Sequence, residues 1–331
     1  MQRRETDKML YPLKFKPIFK NYLWGGRNLE KLNKKLPNGI VAESWEICCH
    51  KDGMSVVENG ALAGKSLQEI ISIYGEKLLG ISIQEKFKNK FPLIIKFIDA
   101  NQNLSVQVHP NDYYAKIYEN GENGKNEMWY IISCKPGAKI VYGLKENINK
   151  DIFLSSIKRN KINECLNYIE VSQGDCIFVP AGTIHAIGEG IVIAEIQQNS
   201  NITYRIYDYD RVDHIGTKRE LHIDKAIEVI DFNNTKKYIH NYKIIKEKNS
   251  IIKCKIKSGC FNVDLYHINE EIDQISDNRR FFIYVVVEGK GNIKYNCEAI
   301  DIALGDCVLM PGDIGRYSIN GDMKLLKIYI P

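Results

Sequence analysis

The chain lacks a long apolar run, a paired-cysteine spacing and a block of one charge, and each absence removes a class of function. Its most apolar stretch is FFIYVVV at 281–287. That is far short of the roughly 20 residues a membrane-spanning helix needs, and it reads as a buried strand. Arg3 and Arg4 stand near the start, but no apolar segment of signal-peptide length follows them. The nine cysteines are an odd count with no CxxC pair in 331 residues. Such usage argues for free thiols in a reducing compartment and against a disulfide framework. The net charge of +5 is spread along the chain with no dense basic tract, which suggests a mild preference for anions but no nucleic-acid footprint. A soluble, cytoplasmic chain with no membrane or nucleic-acid partner is expected, as a monomer or weak homo-oligomer.

Helix signals are few. Ser66-Leu-Gln-Glu69 is a capping box opening an apolar-faced segment with Leu67, Ile70, Ile71, Tyr74 and Leu78. Thr217-Lys-Arg-Glu220 has the same form and predicts a helix with Leu221, Ala226, Ile227 and Ile230 on its apolar side. Short helices are expected after Asp112 and between Asn149 and Leu166. Most of the rest reads as strand: FPLIIKFIDA, EMWYIISC, KIVYGL, DCIFVP, GIVIAEIQ, ITYRIYDYD and an almost purely β final third. One repeat organises these pieces. Gly174-Asp-Cys-Ile-Phe-Val-Pro180 recurs as Gly305-Asp-Cys-Val-Leu-Met-Pro311, which predicts two related barrels with a boundary near residue 235. Five residues past each proline stands His185 in the first copy and Arg316 in the second.

The stretch SVQVHPND, 105–112, carries the first chemical signal. Pro110 favours an extended His109, so the strand should hold through His109. Gln107 and His109 then share one face and Val106 and Val108 the other. Glu127 follows in GKNEMWY, and His185 in VPAGTIHAI after a turn able to aim it inward. Two imidazoles, a carboxylate and an amide oxygen form a set suited to Zn, Mn or Fe(II).

The run G-x5-P-x-G-x2-H with its upstream Q-x-H and Glu resembles the cupin arrangement. Together with LWGGRNL, AESWEIC, QNLSVQVHPND, GKNEMWY, VPAGTIHAIG and EIQQNSNITYRIYDYDR, the chain resembles the type I mannose-6-phosphate isomerases, in particular their shorter bacterial form. The resemblance runs in order from about residue 11 to 230. It implies a mainly β fold of two cupin barrels, with a few helices in and around the first. Residues 1–235 would form the catalytic domain and 236–331 a degenerate, metal-free barrel. It further implies one zinc ion on Gln107, His109, Glu127 and His185, a sugar-phosphate substrate, and Arg205 as the active-site arginine. Asn201 and Ile202 depart from the Asp-Thr of the family, and Met128 replaces a smaller residue.

Aldose–ketose isomerisation needs a Lewis acid and a base near the working pH. Glu195 is the candidate base. Lys125 and Arg205 are candidates for phosphate or oxyanion charge, and Ser105 for a hydrogen bond to ligand or metal ligand. Glu195 and Arg205 are expected on neighbouring strands, where they could instead merely pair. Thr203, Arg205 and Tyr207 are expected on one face, and Tyr207 and Tyr209 could rim the pocket. Trp24 and Trp45 could close the sugar pocket but are assigned to core packing, Cys48 and Cys49 to inert thiols, and His222 to a structural role. Two other classes remain open: an Fe(II) cupin oxygenase and a non-catalytic sugar-binding protein with two barrels.

Overall fold

A computed structural model describes residues 10–213, 215–233, 243–247 and 250–331. The fold is mainly β, with helices few and short. The predicted capping box at Ser66 is present, opening the helix Leu67–Tyr74; helices Asp112–Tyr118 and Lys150–Lys158 start on the side chains of Asn111 and Asn149. The second predicted capping box is not one. Thr217 donates its N–H back to the Asp213 side chain, and Val212 bridges to Lys218, so no helix opens at Thr217. The helix begins only at Ile223, with His222 as N-cap.

Two large antiparallel sheets dominate the first part of the chain, beside two short two-stranded pairs. The larger has the order Cys176–Val179, Glu127–Cys134, Ile191–Gln198, Leu93–Ala100, Glu43–Ile47, Ile18–Lys20. Strands Leu93–Ala100 and Ile191–Gln198 are buried along their whole length, because both faces are covered. Met128, Tyr130 and Ile132 point into the largest core cluster, while Trp129 and Ile131 point the other way, into a second. The smaller sheet runs Leu166–Glu170, Lys139–Leu144, His185–Ala186, Val106–Val108, Tyr204–Tyr207.

The remaining strands form an eight-stranded sheet, dominated by Phe282–Tyr295 and Arg316–Tyr329. The sequence repeat is a structural one. Gly174 and Gly305 both have φ +91, a conformation that favours glycine. Asp175 and Asp306 each accept a backbone N–H three residues back, from Ser172 and Ala303. Val179 is paired with Glu127 in the first copy and Met310 with Phe282 in the second. Phenylalanine therefore stands where the first copy has its carboxylate.

The predicted boundary near residue 235 lies outside the described residues. On either side of it the chain shares one core, since the largest cluster holds Leu13, Phe91 and Met128 together with Phe281, Tyr284 and Leu309. Phe91 stacks on Phe281 with centroids 5.1 Å apart. Leu13 and Leu309 exchange two backbone hydrogen bonds of 2.9 Å. Gly80 permits a close approach here: a Cβ on it would lie 2.3 Å from the Arg280 nitrogen.

Candidate active site

Between the two N-terminal sheets lies a cavity of about 260 Å³ lined by polar side chains from both. The smaller sheet contributes Gln107, whose strand neighbours Val106 and Val108 are fully buried in a separate apolar cluster. The regular strand stops at Val108, one residue short of expectation, yet His109 keeps the inward parity. Gln107 is paired in register with His185 on one side and Arg205 on the other. The larger sheet supplies Glu127, and from its central strands the register partners Lys96 and Glu195.

His109, Glu127 and His185 converge. Their donor atoms lie within 4.8 Å of one another, with His109 Nε2 3.0 Å from Glu127 Oε1 and His185 Nε2 3.7 Å from Oε2. Burial holds both imidazoles below their ordinary pKa, His109 down to about 3 with the Lys125 ammonium adding to the effect. Both are thus neutral, the form that binds a metal. His185 Nδ1 donates to the Thr183 carbonyl at 2.8 Å, which leaves the Nε2 lone pair facing inward. Burial alone would raise the Glu127 carboxyl, but Lys125 and His109 outweigh it and hold it well below the ordinary range.

The residues present fit a divalent cation. Glu127 Oε1 lies 2.8 Å from Lys125 Nζ and 3.0 Å from His109 Nε2, yet makes no aligned hydrogen bond; His109 Nδ1 makes none either. Glu43, Glu127 and Glu195 are buried against the ammoniums of Lys96 and Lys125, an excess of carboxylate that a dication would reverse. The Gln107 amide ends 3.4 Å from His185 Nε2, and a half-turn of an amide exchanges its nitrogen and oxygen. Among the described residues this is the one such group of histidine and carboxylate. A larger cavity of about 660 Å³ on the C-terminal sheet contains Arg316 but no imidazole in its lining.

Glu195 is 3% exposed. Burial, with the nearby Glu127 charge, pushes its carboxyl up to about 7. The Trp129 indole N–H lies 3.1 Å from both Glu127 Oε2 and Glu195 Oε2, bridging the two carboxylates. The expected Glu195–Arg205 neighbourhood is wrong. The chain crosses from one sheet to the other over 199–203, so the two residues stand on different sheets. The ion partner of Glu195 is Lys96, at 3.4 Å. Arg205 instead donates from Nη1 to the Glu220 carbonyl, and its buried Nε has no partner.

Ser105, Lys125 and Thr203 line the cavity as expected, but Tyr207 and Tyr209 do not. A bulge between Arg205 and Tyr207 resets the parity, and Tyr207 packs on the apolar cluster behind. Trp24, assigned to the core, also forms cavity wall. Trp45 is core, its ring under the Lys96 ammonium and its N–H on Glu43. Cys48 is buried and Cys49 half-buried, and burial raises both thiols. His222 is structural: its Nδ1 accepts the Arg205 backbone N–H at 3.2 Å. Sequence reasoning missed Glu43, Lys96, Tyr22 and Arg219. A lone lysine inside the apolar run LIIKFI was the available signal for Lys96; Arg219 gave none.

Comparisons with known proteins agree with this geometry. Residues 12–133 match the family model of the phosphomannose isomerase type I catalytic domain, and residues 250–330 that of the mannose-6-phosphate isomerase cupin domain. The chain is 38% identical to the mannose-6-phosphate isomerase ManA of Bacillus subtilis, over 94% of this chain and 96% of that protein. It is 35% identical to the mannose-6-phosphate isomerase of Streptococcus mutans, over 96% and 98% of the two chains. The crystal structure of the mannose 6-phosphate isomerase from Bacillus subtilis superposes with a TM-score of 0.89 at 34% identity, covering 96% of this chain and 99% of that one. On this similarity over nearly its whole length, the chain belongs to the type I phosphomannose isomerase family.

Proposed function

We propose that the protein interconverts mannose 6-phosphate and fructose 6-phosphate through an enediolate, with one zinc ion on Gln107, His109, Glu127 and His185. The observation that carries the reading is a neutral imidazole pair beside an ionised carboxylate, linked through the Trp129 N–H to a second buried carboxylate whose pKa is raised. When bound, zinc supplies Lewis acidity toward a substrate oxygen without redox side reactions. Glu195 takes the proton from C2 of the aldose and returns it to C1. Burial keeps that carboxyl above its ordinary range, basic enough for the first transfer and acidic enough for the second. Trp129 and Lys96 hold that carboxylate in place. Arg205 directs its free N–H groups at the developing oxyanion, Lys125 balances Glu127, and Ser105 hydrogen-bonds the sugar.

Residues 1–235 would form the catalytic unit and 236–331 a second, metal-free barrel. Phe282 and Arg316 at the positions of Glu127 and His185 support that division, since a guanidinium stays protonated and cannot coordinate. Each cysteine whose side chain the structure describes is a free thiol, which supports a cytoplasmic location; among the described residues no helix is long and apolar enough to cross a membrane. A coupled assay on mannose 6-phosphate, run both with and without oxygen, tests the function. Turnover without oxygen supports the isomerase, oxygen uptake the Fe(II) oxygenase, and neither the sugar-binding alternative.

A further inference from the structure

We infer that His222 is a positioning residue for the reaction: its imidazole and its backbone N–H clamp the peptide of Arg205 from outside the sheet and so aim the guanidinium into the cavity. Tyr204–Tyr207 is the last strand of the smaller sheet, so one edge of it has no strand beside it. At Arg205 that edge is taken by a single residue. The Arg205 N–H donates to His222 Nδ1 at 3.2 Å, and the Arg205 carbonyl accepts the His222 N–H at 2.7 Å. Two bonds between one pair of residues is the exchange a neighbouring antiparallel strand would make, except that one acceptor is a side chain. The Arg205 Nη1 bond to the Glu220 carbonyl adds a third contact from the same segment. The clamp falls where the ladder is weakest, since the bulge directly follows Arg205.

The imidazole is fixed in turn. His222 opens the helix Ile223–Val229, whose Lys225 bonds Glu119 at 2.6 Å, and Glu119 also accepts the Tyr204 hydroxyl at 2.7 Å. The helix is thereby tied to the residue just before Arg205. Burial and the charges of Arg205 and Lys225 hold the ring below its ordinary pKa, against Glu220 and Glu119. Because a backbone N–H can only donate, Nδ1 of this neutral ring is the acceptor and Nε2 carries the proton, 3.8 Å from a Glu220 carboxylate oxygen. Arg205 needs such a hold because its working end is loosely held: the buried Nε has no partner. A guanidinium stands at the end of a long side chain, and misplacing a positioned group by about 1 Å can cost about 10²-fold in rate.

The inference rests on the isomerase reading, with Arg205 as its oxyanion donor. Its test compares wild type, His222→Ala, His222→Asn, Arg205→Ala and the double alanine variant as metal-loaded proteins. Turnover of mannose 6-phosphate is measured, and hydrogen exchange at the Arg205 amide. Asparagine carries an oxygen at the place of Nδ1 and keeps the acceptor without the ring. His222→Ala should lower kcat about 10-fold or more, up to the loss in Arg205→Ala, with KM and metal content near wild type. Its Arg205 amide should exchange faster. His222→Asn should recover most of both, which loss of ring packing alone would not allow. In the Arg205→Ala background His222→Ala should cost little more, because residues that act as one unit are not additive. Wild-type kcat in His222→Ala, equal losses in the alanine and asparagine variants, or full additivity would each overturn the inference. If wild type leaves mannose 6-phosphate unchanged, the isomerase reading falls. Faster exchange in His222→Ala, restored in His222→Asn, would then still support the clamp, and unaltered exchange would overturn it.

Discussion

Three buried side chains share one indole N–H and one ammonium contact: Glu127, Glu195 and, through Lys125, His109. The roles diverge because the environments do. Glu127 sits between a cation and two imidazoles and stays ionised, whereas Glu195 faces Glu127 itself and rises to about 7. As base, Glu195 must be deprotonated, so kcat/KM should fall as pH drops through its pKa. A cation on Glu127 removes the second cause of the rise and moves this acidic limb below 7. Glu195→Gln should lose the limb and about 10²- to 10⁴-fold in kcat, with metal content unchanged. A pH–rate profile of the residual activity checks this, and a retained limb would assign it to another group. Arg205 makes the complementary case. Its free N–H groups and register position beside Gln107 predict that Arg205→Ala lowers kcat and kcat/KM together by about 10²-fold. A rise in KM alone would make Arg205 a phosphate grip instead.

Strand parity was the most legible feature. It put Gln107 with His109, and Lys125 with Glu127, on a common face of each stretch and turned Met128 the other way, because alternation is a local property of the backbone. Parity failed where the backbone stops being regular. The bulge after Arg205 sent Tyr207 to the other side, and the crossing at 199–203 separated Glu195 from Arg205. Neither event leaves a mark in residue type. The T-x-x-E pattern at 217–220 misled for a related reason: the Asp213 side chain captures the Thr217 and Ile215 N–H groups first. Arg219 belongs to that loop, so its place in the cavity depends on a long-range fold. The element-scale prediction concerns a close approach. Gly80, at φ +87, stands where a Cβ would meet the Arg280 backbone at 2.3 Å. Gly80→Ala should cost at least about 2 kcal/mol and lower the melting temperature by roughly 3 °C or more, with metal content per chain unchanged. An unaltered melting curve would show that the junction yields without strain.

The two copies of the Gly-Asp turn keep one scaffold and divide the work. Both copies have the turn at the positive-φ glycine, the aspartate that closes it and the strand that follows. Only the first has the imidazole and carboxylate. The second spends the carboxylate's position on Phe282, packed in the cluster that also holds Phe91 and Met128 of the first half. The C-terminal sheet thereby covers the outer face of the strands whose inner face bears Lys96, Glu127 and Glu195. That cover lets charged side chains be fixed in a fully buried strand. The repeat itself was legible in the sequence. The shared core was not, because it depends on which outward faces meet.

The central claim, one catalytic metal within residues 1–235, is tested most directly by titrating zinc into chelator-stripped protein while following conversion of mannose 6-phosphate to fructose 6-phosphate. Activity should be absent at the start, rise in proportion to added zinc and saturate at one equivalent per chain. His185→Ala should stay inactive throughout. Full activity in the stripped protein, or saturation only at two equivalents, would contradict the account.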